Sequence, residues 1–139
     1  MSMFFKPIMA LGLMVFSCSM VYAETPDTIP GTHKVTAEGV IETLEKHSDL
    51  VIVDARKTSD RLQGYIEGSV GLPDTDTTKK SLAKVVPTKA TPVLFYCNGV
   101  KCGRSVKSAK NAVAWGYKNI YWFRGGWAEW ASKGMPVTK

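Results

Sequence analysis

Soft metal ligands and imidazole bases are scarce in this chain of 139 residues, which has only three cysteines and two histidines. The histidines, His33 and His47, read as surface residues far from the other chemistry-bearing positions. Two widely separated histidines and two cysteines of the folded part do not make a zinc site, and no histidine is placed to act as a general base. Internal repeats are missing, which excludes a solenoid, and so are low-complexity segments. Aromatic and basic residues are not interleaved, so the net charge of +6 does not read as a nucleic-acid footprint. A moderate positive balance favours small anionic partners instead.

Beyond the first 23 residues there is no long apolar run. Met1 to Lys6 carries one positive charge, Ile8 to Val21 is apolar, and Val21-Tyr22-Ala23 fits a small-residue cleavage site. The apolar stretch is too short for a membrane span, so residues 1–23 are expected to be a signal peptide and the mature protein periplasmic. Val15-Phe16-Ser17-Cys18 loosely resembles a lipobox, which would lipidate Cys18 and tether the protein to a membrane. Phe16 suits that pattern badly, and cleavage after Ala23 is the preferred reading. Residues 24–31, with Pro26 and Pro30, are expected to be a flexible leader, and residues 32–139 a single domain.

Within that domain, strands and helices alternate. His33-Lys34-Val35 reads as a short strand, followed by Thr36 as the N-cap of a helix with Val40, Ile41 and Leu44 on its apolar face. Leu50 to Val53 is a continuous apolar run ending at Asp54, the pattern of a buried parallel strand. Residues 57–65 read as loop with one helical turn, 69–72 as a short strand, 74–78 as a turn and 79–86 as a short helix. Pro92 to Tyr96 is another buried strand, followed by a loop and a helix to about Trp115 that Gly116 closes. Asn119 to Phe123 is the next strand and Trp127 to Lys133 the last helix. The alternation predicts an α/β fold with a mostly parallel sheet covered by helices on both faces. Asp54, Cys97 and Arg124 each follow a strand directly, so they share the sheet edge where such folds bind ligands.

The organising stretch is Tyr96-Cys97-Asn98-Gly99-Val100-Lys101-Cys102-Gly103-Arg104-Ser105. A strand, a tight glycine-containing loop and a helix start point backbone N–H groups at one place, where the helix dipole adds partial positive charge. A cysteine there is expected to have a depressed pKa and to be nucleophilic towards an anionic substrate. The plainer reading is a strand-end cysteine that only packs. Lys101, Arg104, Lys107 and Lys110 cluster beside the loop, either as a local positive field or as a solvated helix face. Trp115, Trp122, Trp127 and Trp130 read as core.

On these residues the chain resembles a rhodanese domain of the single-domain sulfurtransferase type, over about residues 33–138. Val51-Ile52-Val53-Asp54-Ala55-Arg56 with Gly64 to Pro73 is similar to the family's N-terminal signature. Tyr96-Cys97 through Gly103-Arg104-Ser105 is similar to its active-site loop. Gly125-Gly126-Trp127, Trp130 and Gly134-Met135-Pro136-Val137 are similar to its C-terminal signature. Two positions depart from the pattern. Tyr65 stands where the family usually has His. Arg104 lies seven residues after Cys97, where the sulfurtransferase pattern has it at five and relatives acting on phosphate or arsenate at six.

The resemblance implies a rhodanese-like, mostly parallel five-stranded sheet and a ping-pong sulfur transfer that needs no cofactor or metal. Cys97 is the implied nucleophile: it takes sulfane sulfur from thiosulfate, polysulfide or a persulfide and becomes a cysteine persulfide. The acceptor is a thiol, cyanide or a sulfur-accepting protein. Asn98, Gly99, Val100, Lys101, Cys102, Gly103 and Arg104 are the implied substrate-binding loop, with Arg104 orienting the donor or bracing the backbone. Asp54, Arg56 and Arg124 are supporting residues; Asp54 is read as holding neighbouring loops rather than acting as a base. Cys102 either bonds reversibly to Cys97 or packs under the loop. The rival readings are a persulfide carrier without turnover and, third, a phosphatase or arsenate reductase.

Overall fold

The computed structural model describes residues 24–139; the signal peptide assigned to residues 1–23, and Cys18 within it, lie outside the described residues. The chain runs β1 (Thr32–Val35), α1 (Ala37–Lys46), β2 (Val51–Asp54), α2 (Thr58–Arg61), β3 (Tyr65–Ile66), β4 (Val70–Gly71) and a 3-10 turn at Asp74–Asp76. It continues α3 (Lys79–Val85), β5 (Val93–Tyr96), α4 (Arg104–Ala114), β6 (Ile120–Phe123), α5 (Gly126–Ser132) and β7 (Val137–Thr138). Strands β1, β6, β5, β2 and β4, in that spatial order, form a five-stranded sheet whose pairings are all parallel. The expected fold class therefore stands. A separate antiparallel pair, β3 with β7, joins Tyr65–Ile66 to Val137–Thr138.

Side chains alternate across the sheet as the pleat requires. Val93 and Phe95 of β5, with Ile120 and Trp122 of β6, point to one face and meet Leu82 of α3 and Val106, Ala109 and Ala112 of α4. Leu94, Tyr96 and Phe123 point to the other and meet Ala37 and Val40 of α1, Ile66 of β3 and Trp130 of α5. β5 and β2 are flanked by strands on both sides and are nearly all buried, which is why both read as continuous apolar runs. Thr36 caps α1 by accepting from Gly39 N–H, and Gly116 closes α4 with φ +89°. Trp122 and Trp130 lie in the core, while Trp115 and Trp127 are half-buried against it.

Residues 24–31 have no regular secondary structure beyond a turn, yet Ile29 is buried in the core on the α4 side. Thr25 donates to the Val100 carbonyl from both its N–H (2.8 Å) and its hydroxyl (2.7 Å). No helix among the described residues is long and apolar enough to cross a membrane.

Candidate active site

β5 is the central strand of the sheet, and Cys97 is the first residue beyond it. Parallel pairing puts the ends of β2, β5 and β6 on one edge, so Asp54, Cys97 and Arg124 do share that edge. Their surroundings differ. Cys97 is 1% exposed and its carbonyl accepts from Trp127 N–H at 2.8 Å, while the Asn98 carbonyl accepts from Ala128 N–H at 2.9 Å. The start of α5 is thus docked onto the loop. Gly126 makes that docking possible: it has φ +55°, and a Cβ there would run into the Cys97 carbonyl and sit 3.1 Å from Gly99 N.

From Asn98 the loop turns back on a bond from Cys102 N–H to the Gly99 carbonyl (3.0 Å). The turn brings Cys102 to a Cα–Cα distance of 6.1 Å from Cys97, and the two are joined by a disulfide. That spacing lies within the normal disulfide range. Cys102 is thus bonded to Cys97 rather than packed under the loop as a free thiol. Asn98 to Cys102 line a hollow of about 390 Å³ over the loop. The N–H groups of Gly99, Val100 and Lys101 have no backbone acceptor among the described residues. α4 opens at Gly103 without a side-chain cap, so its first-turn N–H groups remain directed towards the loop.

Two of the four cations expected around the loop lie against one carboxylate. Arg104 donates to Asp74, and Lys107 lies 3.8 Å from the same carboxylate, which is 9% exposed. Arg104 therefore braces α4 against the turn that follows β4. Asn98 donates to Asp60 of α2 at 3.1 Å. Lys101 is exposed beside the hollow. Arg124 donates to the Pro26 and Thr25 carbonyls, both at 3.0 Å, and so fastens the leader, while it shares a second hollow with Val100 of the loop.

Asp54 is fully buried and collects donors from several elements. Arg56 supplies its backbone N–H (3.0 Å), Nε (2.9 Å) and Nη2 (2.8 Å); Arg61 adds Nη1 (3.1 Å) and Tyr96 its hydroxyl (2.8 Å). Burial pushes the Asp54 carboxyl up, but the hydrogen bonds and charge of Arg56 outweigh it and hold the group below the ordinary carboxylate range. Arg56 also donates to the Gly64 carbonyl (2.7 Å) and lies over the Trp127 ring at 5.0 Å. Tyr96 is pushed up to about 12, first by burial and then by the Asp54 charge. This network ties β2, β5, α2 and the base of α5 together beneath the loop, with every oxygen of Asp54 occupied. Tyr65, at the position of the usual His, lies under the Arg61 guanidinium at 3.7 Å.

Sequence reading missed the roles of Asp74, Asp60 and Thr25, and placed Gly126 in the C-terminal signature without its close approach to Cys97. The Gly125-Gly126 pair directly after a strand was the available signal for a close approach. No local pattern marks Asp74 as the partner of Arg104, thirty positions later.

A family model described as "Rhodanese-like domain" matches residues 36–133. A rhodanese domain-containing protein of Drosophila melanogaster is 27% identical over 104 residues, covering 67% of this chain and 92% of its own. A crystal structure of a Bacillus halodurans protein superposes with a TM-score of 0.68 at 18% identity, over 77% of each chain. A thiosulfate sulfurtransferase from Pseudomonas aeruginosa gives a TM-score of 0.64 at 23% identity, over 77% of this chain and 20% of that one.

Proposed function

Because the chain belongs to the rhodanese-like family over most of its described length, we propose that it is a sulfurtransferase acting through a persulfide on Cys97. The observation that carries this reading is the position of Cys97: at the end of the central strand, under a loop of unpaired N–H groups and beside the uncapped start of α4. Peptide dipoles arranged in this way favour a thiolate over a thiol, and equally an anionic persulfide over a neutral one. They also stabilise the charge that develops as sulfur moves.

With the disulfide reduced, the Cys97 thiolate attacks the outer sulfur of thiosulfate. The S–S bond of the donor breaks, sulfite leaves with the bonding pair, and Cys97 holds the sulfane sulfur. No proton needs to be removed in this step, so the lack of a histidine near the loop is no obstacle. Polysulfide or a persulfide reacts in the same sense, with a shorter sulfur chain or a thiolate as leaving group. The acceptor is a thiol, cyanide or a sulfur-accepting protein, and the periplasm the site of action. The engagement of Arg104 by Asp74 weighs against a phosphatase or arsenate reductase, which needs a free guanidinium for a tetrahedral oxyanion.

Reduced protein mixed with thiosulfate or inorganic polysulfide is expected to withdraw one sulfur atom from the donor through Cys97, whatever that sulfur's later fate, and, with thiosulfate, to release sulfite in equal amount. Cys97→Ser is expected to do neither. Failure of the wild-type protein to take sulfur from either donor overturns the reading.

A further inference from the structure

We infer that Cys102 is a resolving cysteine and that the protein reduces sulfane sulfur to sulfide; this rests on the sulfurtransferase reading of Cys97 and extends it. The disulfide joins Cys102 Sγ to Cys97 Sγ itself. Cys102 can therefore reach the inner sulfur of a persulfide carried on Cys97, and not only its outer end.

The two cysteines are held differently. Cys97 is buried, follows the central strand and is gripped through its carbonyl by α5. Cys102 is half-exposed and lies in a turn between Gly99 and Gly103, where a Cβ added to Gly103 meets nothing within 4 Å. One sulfur is fixed and loaded; the other sits on the open side of the loop and can close onto it. Arg104 and Lys107, the cations next along the chain, are turned towards Asp74. Cys102 is already in place beside Cys97, whereas an external acceptor must first enter the hollow over the loop.

The step balances as follows. The Cys102 thiol, giving up its proton, attacks Cys97 Sγ; the bond between Cys97 Sγ and the outer sulfur breaks, and the outer sulfur leaves with the electron pair and the proton as hydrosulfide. The sulfane sulfur is reduced, and two cysteine sulfurs are oxidised to the disulfide seen in the structure. An external thiol or dithiol then attacks the half-exposed Cys102 Sγ, releases Cys97 and restores both thiols while it is itself oxidised to a disulfide. Sulfane sulfur and two thiols thus become sulfide and one disulfide.

A single turnover without external reductant tests this, because an added thiol would itself strip sulfur from Cys97. Fully reduced protein, freed of reductant under anaerobic conditions, receives one equivalent of thiosulfate, and sulfide is trapped as it forms. In the wild type the ratio of sulfide to sulfite is expected to approach one, with protein lighter by two hydrogens and without alkylatable thiols. In Cys102→Ser the ratio is expected to fall by an order of magnitude or more, and the added sulfur to stay on the protein. Should that variant not fold, the wild-type time course decides: loss of the added sulfur, appearance of sulfide and closure of the disulfide must share one rate. A wild-type persulfide that persists while sulfite forms overturns the resolving role and leaves the sulfurtransferase reading standing. If no sulfite forms, the same turnover is read with one equivalent of inorganic polysulfide, and failure to take sulfur from either donor overturns both.

Discussion

A side chain on Gly126 would fall on the Cys97 carbonyl, so the first residue of α5 and Cys97 share a space that admits no Cβ. Gly126→Ala meets two costs. The left-handed backbone disfavours a Cβ by roughly 1–2 kcal/mol, and the methyl must displace the backbone of Cys97 or Gly99. We expect a lower urea midpoint and a larger fractional loss of sulfur uptake than of stability, since the displaced backbone carries the proposed nucleophile. Parallel denaturation and single-turnover measurements on the variant check this.

Asp74 holds Arg104 and draws Lys107 towards it. Asp74→Asn removes the negative charge and leaves both cations to face the loop. The apparent KM for thiosulfate is expected to fall severalfold, and its dependence on ionic strength to steepen, because the freed charges attract the donor through solvent. A KM that rises or stays constant at low salt would show that the pair serves only to brace α4.

Asp54 and Arg56 form a buried ion pair, and breaking such a pair by removing one partner costs about 3–5 kcal/mol. Asp54→Asn is expected to lose stability on that scale in urea titrations at neutral pH. The wild type should show the matching acid dependence. The folded carboxyl titrates below its unfolded value, so its stabilisation is complete above about pH 4 and drains as pH falls through the folded value. The variant's stability should vary less over that acid range.

The alkaline side depends on Tyr96, whose hydroxyl donates to Asp54 and whose pKa is raised to about 12. In the unfolded chain the phenol ionises near pH 10. Its contribution is therefore full below pH 10 and is lost as pH climbs towards 12, at about 1.4 kcal/mol per pH unit. Tyr96→Phe is expected to be less stable at neutral pH and to show a shallower decline between pH 10 and 12. Thermal unfolding of both proteins across that range provides the check.

The parts of this fold that were legible in the sequence are those written in consecutive residues. Val51 to Asp54, Val93 to Tyr96 and Ile120 to Phe123 announce themselves because buried central strands need apolar side chains on both faces. Thr36 and Gly116 mark helix ends through local hydrogen bonding and backbone geometry. The pairing of Tyr65–Ile66 with Val137–Thr138 leaves no such trace: each strand is two residues long, too short for a period, and the partners are far apart in sequence. The site divides in the same way. The loop from Cys97 to Arg104 is contiguous and was recognised as a unit. The carboxylate that engages Arg104 comes from the turn at Asp74, and the glycine that admits α5 to the loop comes from Gly126. Only the folded chain brings these to the loop, so the choice between Arg104 as a donor-orienting group and Arg104 as a brace is made by Asp74 and not by the loop itself.

Thr25 closes two hydrogen bonds onto the Val100 carbonyl, across seventy-five positions of sequence. Val100 is midway between the two cysteines, so any opening of the disulfide turn must either carry Thr25 with it or break that mooring. Trimming a handful of amino acids at the start of the folded part would then alter how fast the reactive turn swings, without touching a sulfur atom. The segment from Thr25 to Ile29 would thereby act as a brake on the turn it is tied to.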